Sequence, residues 1–166
     1  MPECAEPEFV ETASDDPVAA GMLDDYFASR ELGFTTHPGG YRVVHPDPAR
    51  FTPPAGAFFV LRDDAGAAVG CGGVRRIDDR DGEACFEVKH VWIDPSARGR
   101  GWSRLLMDRL ETRALELGAR WIVLDTNESL RVAQHLYTSG GYSAVPPYND
   151  NPNATHWFAK RVAAPK

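Results

Sequence analysis

The chain has 166 residues, 43% of them hydrophobic and 25% charged, which fits one soluble globular domain spanning residues 1–166. No apolar run approaches the roughly 20 residues of a membrane-spanning helix, and the acidic start Met1-Pro2-Glu3-Cys4-Ala5-Glu6 is unlike a secretory leader. A formal net charge of −6 argues against nucleic-acid binding and would favour a cationic partner.

Residues 1–8 read as a loose terminus. Asp15-Asp16-Pro17 places a capping group and an N-terminal proline ahead of a helix that runs to about Arg30. Met22, Leu23, Tyr26 and Phe27 give it an apolar stripe. Segment 34–54 contains five prolines and Gly39-Gly40, so it cannot be one continuous helix. Residues 58–61 and 67–77 read as strands joined by a turn at Asp63-Asp64-Ala65-Gly66. A second turn over 78–82 leads into a strand over 84–93. Leu106, Leu110, Ala114 and Leu117 then recur at helical spacing, with polar residues at most intervening positions and Gly118 as the stop. A strand over 121–126, a short helix over 129–139 closed by Gly140-Gly141, and strands over 142–145 and 156–162 complete the chain.

This order is an α/β or α+β three-layer pattern. Its parallel step, strand 84–93 to helix 101–117 to strand 121–126, crosses over right-handed and puts the strand–helix loop at the carboxyl edge of the first strand. Of the three cysteines, Cys71 and Cys85 lie in strands and read as small core residues, as expected of a protein in a reducing cytoplasm. The five histidines show no metal-ligand spacing, so no metal is expected.

The chemistry concentrates in Asp94-Pro95-Ser96-Ala97-Arg98-Gly99-Arg100-Gly101-Trp102-Ser103-Arg104, where an apolar strand ends and a helix begins. Unpaired N–H groups and the macrodipole make a helix start attractive to anions. Glycines let a phosphate approach the backbone, and the three arginines add charge. The loop has no Walker lysine, and Arg104 stands where a dinucleotide fingerprint needs its third glycine.

Arg98, Gly101 and Ser103 resemble the acetyl-CoA loop of the GNAT superfamily of N-acetyltransferases, Arg/Gln-x-x-Gly-x-Gly/Ala, with Ser103 departing from the last position. Ala133, Leu136 and Tyr137, followed by Gly141-Tyr142, resemble its second motif, with Leu130 where that motif has Asn. Pro146-Pro147-Tyr148-Asn149-Asp150-Asn151-Pro152 is similar to the tail of a bacterial subgroup, and the likeness covers about residues 57–163. It implies a mixed, mainly antiparallel sheet with a splayed central parallel pair and flanking helices. It also implies acetyl-CoA as cosubstrate, its pyrophosphate on Arg98, Gly99, Arg100, Gly101, Trp102, Ser103 and Arg104. The pantetheine arm would pair with the backbone of Val91, Trp92 and Ile93. The implied reaction is direct acetyl transfer to a primary amine of a small molecule or amino acid. The competing possibilities are transfer to a protein N-terminus or lysine, and a CoA-binding sensor without catalysis. A homodimer is compatible with the family.

Such a transfer needs a neutral amine, a stabilised oxyanion and a protonated leaving thiolate. Deprotonating an alkyl amine of pKa about 10.4 at pH 7 costs about 4 to 5 kcal/mol, so a base and a desolvated pocket help. The resemblance makes Tyr137 the acid, against a packed core aromatic. Glu87 is one candidate base, against a solvated pair with Lys89 on the same strand face. Asp125 is a second, against a cap on the following helix. A backbone N–H near Val91 would hold the oxyanion. His90 and His135 are isolated and read as structural. Trp92 and Trp102 either wall the cofactor or pack. Asn149, Asp150 and Asn151 either orient an amine or form a turn.

Overall fold

The computed structural model describes residues 5–33, 43–127 and 131–162. Its elements run β1 (Glu8–Glu11), α1 (Pro17–Gly33), β2 (Gly56–Arg62), β3 (Ala68–Arg80), β4 (Glu83–Ile93), α2 (Trp102–Glu116), β5 (Trp121–Thr126), α3 (Arg131–Ser139), β6 (Ser143–Val145) and β7 (His156–Arg161). The seven strands form one sheet in the order β1-β2-β3-β4-β5-β7-β6, antiparallel except for the β4–β5 pair. No helix among the described residues is long and apolar enough to cross a membrane.

Strand β2 is buried on both faces, and its alternation assigns the layers. Phe58 and Val60 meet Leu23 and Phe27 of α1, whereas Ala57, Phe59 and Leu61 join Leu106, Leu110 and Ala114 of α2. Helix α1 starts where Asp16 accepts from the Val18 and Ala19 amides at 3.1 and 3.4 Å, with Pro17 in its first turn. Strand β3 lets both layers close in. A Cβ at Gly72 would lie 3.2 Å from Leu110, and one at Gly73 only 2.7 Å from the Phe51 ring.

Three expectations shift. Glu8 belongs to β1, whose Phe9 lies under the Arg109 guanidinium, so the loose terminus narrows at that end; residues 1–4 lie outside the described residues. The turn expected over 78–82 tightens to Asp81-Gly82, both at positive φ, because this dipeptide suits a two-residue hairpin and lets β3 run on to Arg80. Helix α3 begins at Arg131, and Ser129 and Leu130 lie outside the described residues, as do 34–42 of the proline-rich segment. The described part of that segment contains a short 3-10 turn, Pro48–Phe51, capped by Asp47.

The sheet opens at its middle. Pairing between β4 and β5 covers only Cys85↔Trp121, Phe86↔Ile122 and Glu87↔Val123. Beyond it β4 has a bulge: Gly73 pairs with Lys89 and Cys71 with Trp92, so β4 has one residue more than β3. His90 in this bulge sits at φ +60. A bulge bends its strand, and the parallel strands part there.

Candidate active site

A cavity of about 640 Å³ lies at this opening. Val88 to Val91 of β4, Leu124 to Thr126 of β5 and Tyr137 of α3 line it, and Tyr26, Phe27 and Arg30 of α1 close one side. Residues 44–47 and 151–154 supply the rim.

At the end of β4 the chain turns through Pro95–Ala97, held by Asp94, which accepts from the Ser96 amide at 2.9 Å and hydroxyl at 2.6 Å. Those bonds hold the Asp94 carboxyl below its ordinary range. Arg98 donates from Nε to the Ile93 carbonyl at 3.0 Å, fastening the loop to the strand. Gly99 and Gly101 have φ of +82 and +76, which a side chain would strain, and nothing lies within 4 Å of a Cβ at either. Gly101 caps α2, and no side chain among the described residues caps that helix start. The amides of Trp102, Ser103 and Arg104 are therefore left without a side-chain cap, a geometry suited to an anion, with Arg98 and Arg100 in the same loop.

The side chains of this segment divide. Arg100 stacks 4.9 Å over Trp102. Arg104 donates to the Leu136 carbonyl at 2.7 Å and to Ser139 Oγ at 2.6 Å, bolting α2 to α3. Trp92 is buried in the α1-side core and Trp102 in the α2-side core, so both side chains pack. Val91 lines the cavity.

Tyr137 is buried against Tyr142 and Phe158, with ring centroids 6.2 and 6.1 Å away. Burial pushes its phenol up to about 12, so it stays protonated at neutral pH. No other described residue hydrogen-bonds its hydroxyl.

The carboxylates occupy different positions. Glu87 is 1% exposed, and the solvated pair with Lys89 becomes a buried network. Its Oε1 accepts from Arg75 Nε at 3.0 Å and Nη2 at 2.8 Å. Its Oε2 accepts from the Tyr148 hydroxyl at 2.6 Å and Asn149 Nδ2 at 3.3 Å, with Lys89 Nζ at 3.7 Å. Asp125 faces the cavity, pairs with Lys89 at 3.3 Å and accepts from Asn149 Nδ2 at 2.8 Å; the helix cap expected of it falls on residues 128–130, which lie outside the described residues. Asn149 is the crosspiece, since its Oδ1 also accepts from Trp157 Nε1 at 2.9 Å.

His90 packs against Tyr26 and Phe27, with centroids 5.4 and 5.8 Å away. Burial, reinforced by Lys89 and Arg75, pushes its imidazole down to about 3, so it is neutral. His135 is exposed on α3.

A family model described as the Acetyltransferase (GNAT) family matches residues 13–142. The chain belongs to the GNAT acetyltransferase family. It is 35% identical over 103 residues to an uncharacterized N-acetyltransferase of Schizosaccharomyces pombe, covering 62% of this chain and 61% of that protein. It is 30% identical over 128 residues to a mycothiol acetyltransferase of Propionibacterium freudenreichii, covering 74% of this chain and 40% of that one. The chain thus spans less than two thirds of either relative. A crystal structure of a GNAT-family acetyltransferase from Staphylococcus aureus superposes with a TM-score of 0.72 at 15% identity, over 93% of this chain and 98% of that one.

This member of the GNAT family has candidate-site residues that its sequence concealed. Arg75 carries no motif, and its pairing with Glu87 depends on a register shift between Ile77 and Arg80. Counting back from the Asp81-Gly82 turn would pair Glu87 with Arg76 instead. Tyr148 and Trp157 reach the network from the tail. Arg30, in the last turn of α1, reaches the cavity by tertiary packing alone.

Proposed function

We propose that this GNAT enzyme acetylates the primary amine of a small molecule, with acetyl-CoA as donor, by direct transfer. One observation carries the proposal: the unpaired part of β4 lines a cavity that also contains Tyr137 and Asp125, and the same strand runs on through a short loop to the uncapped start of α2. Bound acetyl-CoA supplies a thioester carbonyl that an amine can attack. The amides of Trp102, Ser103 and Arg104, with Arg98 and Arg100, suit its pyrophosphate. The backbone of Val91 to Ile93 suits its pantetheine amides, and the Val91 N–H provides an oxyanion donor.

Tyr137 holds a proton at its hydroxyl for the leaving sulfur, and burial keeps that proton in place. Asp125 accepts the proton of the amine, directly or through water, because it lines the cavity. Glu87 acts by position: both its oxygens are engaged, and it fixes Arg75, Lys89, Tyr148 and Asn149 around Asp125. A thermal-shift titration tests the donor half. Acetyl-CoA at about 100 times its Kd should raise Tm by roughly 5–10 °C, and ATP or NAD should not. No shift with acetyl-CoA overturns the proposal.

A further inference from the structure

The charges around the cavity reverse the balance of the chain. Arg30, Arg50, Arg75 and Lys89 line it against Asp47 and Asp125, in a protein with net charge −6. Most of these groups already have partners. Arg75 and Lys89 are held by Glu87 and Asp125. Asp47 accepts from the Ala49 amide at 3.0 Å, and Arg50 donates to the Arg76 carbonyl at 3.1 Å.

Arg30 stands apart. Its guanidinium stacks 4.9 Å from the Tyr26 ring centroid, and among the described residues no carboxylate or carbonyl accepts from it. Its charge reaches the interior of the site, where it opposes the burial-driven rise of the Tyr137 phenol and adds to the fall of the His90 imidazole. Neutral His90 brings no positive charge of its own to compete for an anion.

We propose that the acceptor is an amine that also carries a carboxylate, and that the Arg30 guanidinium binds this carboxylate while the amine lies toward Asp125. The inference rests on the N-acetyltransferase reading and specifies its substrate class. A guanidinium is a planar fork that matches a carboxylate with two parallel hydrogen bonds. An amine without the carboxylate leaves Arg30 desolvated and uncompensated, and a pocket discriminates strongly when its own polar group is left unpaired. The acidic net charge of the chain, which by itself favours a simple cationic amine, is a poor guide to this pocket.

The test uses the full chain, acetyl-CoA and matched acceptors: the common α-amino acids, their methyl esters and their decarboxylated amines, followed by thiol release. The free amino acids should exceed their matched esters and amines by about 100-fold in kcat/KM for the preferred side chain. Arg30→Ala should reduce that preference to within a few-fold, Arg30→Lys should restore part of it, and acetyl-CoA affinity and Tm should stay unchanged in both. Wild-type activity that is equal or better on esters and amines overturns the inference and leaves the N-acetyltransferase reading standing. So does an Arg30→Ala variant that loses both series equally or loses acetyl-CoA binding. Acetyl-CoA binding with no acetylation of any acceptor overturns the N-acetyltransferase reading, and the inference falls with it.

Discussion

The two halves of the candidate site are made of different material. In the proposed reading the donor side is backbone: two glycines at positive φ, the first amides of α2 and the unpaired part of β4. The acceptor side is side chains brought from four separate places, with Arg75 on β3, Glu87 and Lys89 on β4, Asp125 on β5 and Asn149 in the tail. A site made of amides is broken by adding a side chain. A site made of ion pairs is broken by removing one, so substitutions should separate the halves cleanly.

The largest effect is expected on the donor side. Gly101→Glu adds a Cβ at a left-handed position and a negative charge at an anion cradle, and should weaken acetyl-CoA by at least about 100-fold in calorimetry. Arg98→Ala should weaken it by about 10-fold, since the amides remain. Unchanged affinity in both would remove the loop from the donor site.

Tyr137→Phe sits at the junction and should lower kcat by about 100-fold with acetyl-CoA affinity unchanged. Because the phenol is pushed up to about 12, wild-type kcat should lose no activity through this group until pH nears that value. An alkaline fall near pH 9 that Tyr137→Phe abolishes would contradict this assignment.

On the acceptor side Arg75→Ala takes the two-point partner from a carboxylate that is 1% exposed. Breaking such a pair leaves a buried charge, and the lower end of the usual range applies because Lys89 remains nearby, so urea melts should show a loss of about 3 kcal/mol. A loss below about 1 kcal/mol would mean that the network is weaker than its geometry.

The smallest effect is one of pH. His90 titrates near 3 in the folded chain and near its ordinary value of 6.5 when unfolded. Between those values the unfolded state binds the extra proton, so stability falls on acidification by up to about 1.4 kcal/mol per pH unit. His90→Asn, which tolerates positive φ, should flatten that slope between pH 6.5 and 4.5 while lowering stability overall. An unchanged slope would show that other groups carry it.

The same division explains what the sequence made readable. The cradle is legible because its glycines, arginines and helix start are consecutive, and local conformation follows from local residue types. Strands, helices and the parallel crossover are legible for the same reason, and the likeness to GNAT motifs supplied the splayed pair. The acceptor side is not, because its partners lie 12 and 36 residues apart in the pairs Arg75–Glu87 and Lys89–Asp125. A bulge between Ile77 and Arg80 also defeats simple counting of the register. Strand β1 is not legible either, because four residues, Glu-Phe-Val-Glu, carry too little pattern until Phe9 finds its place under Arg109.

The most direct test is transfer of a labelled acetyl group. With acetyl-CoA carrying carbon-13 in its acetyl group and a mixed panel of amines, mass spectrometry should find the label on an amine nitrogen with the wild-type chain and not with Gly101→Glu. Label recovered only as acetate, or equal labelling of amines by Gly101→Glu, would contradict the account.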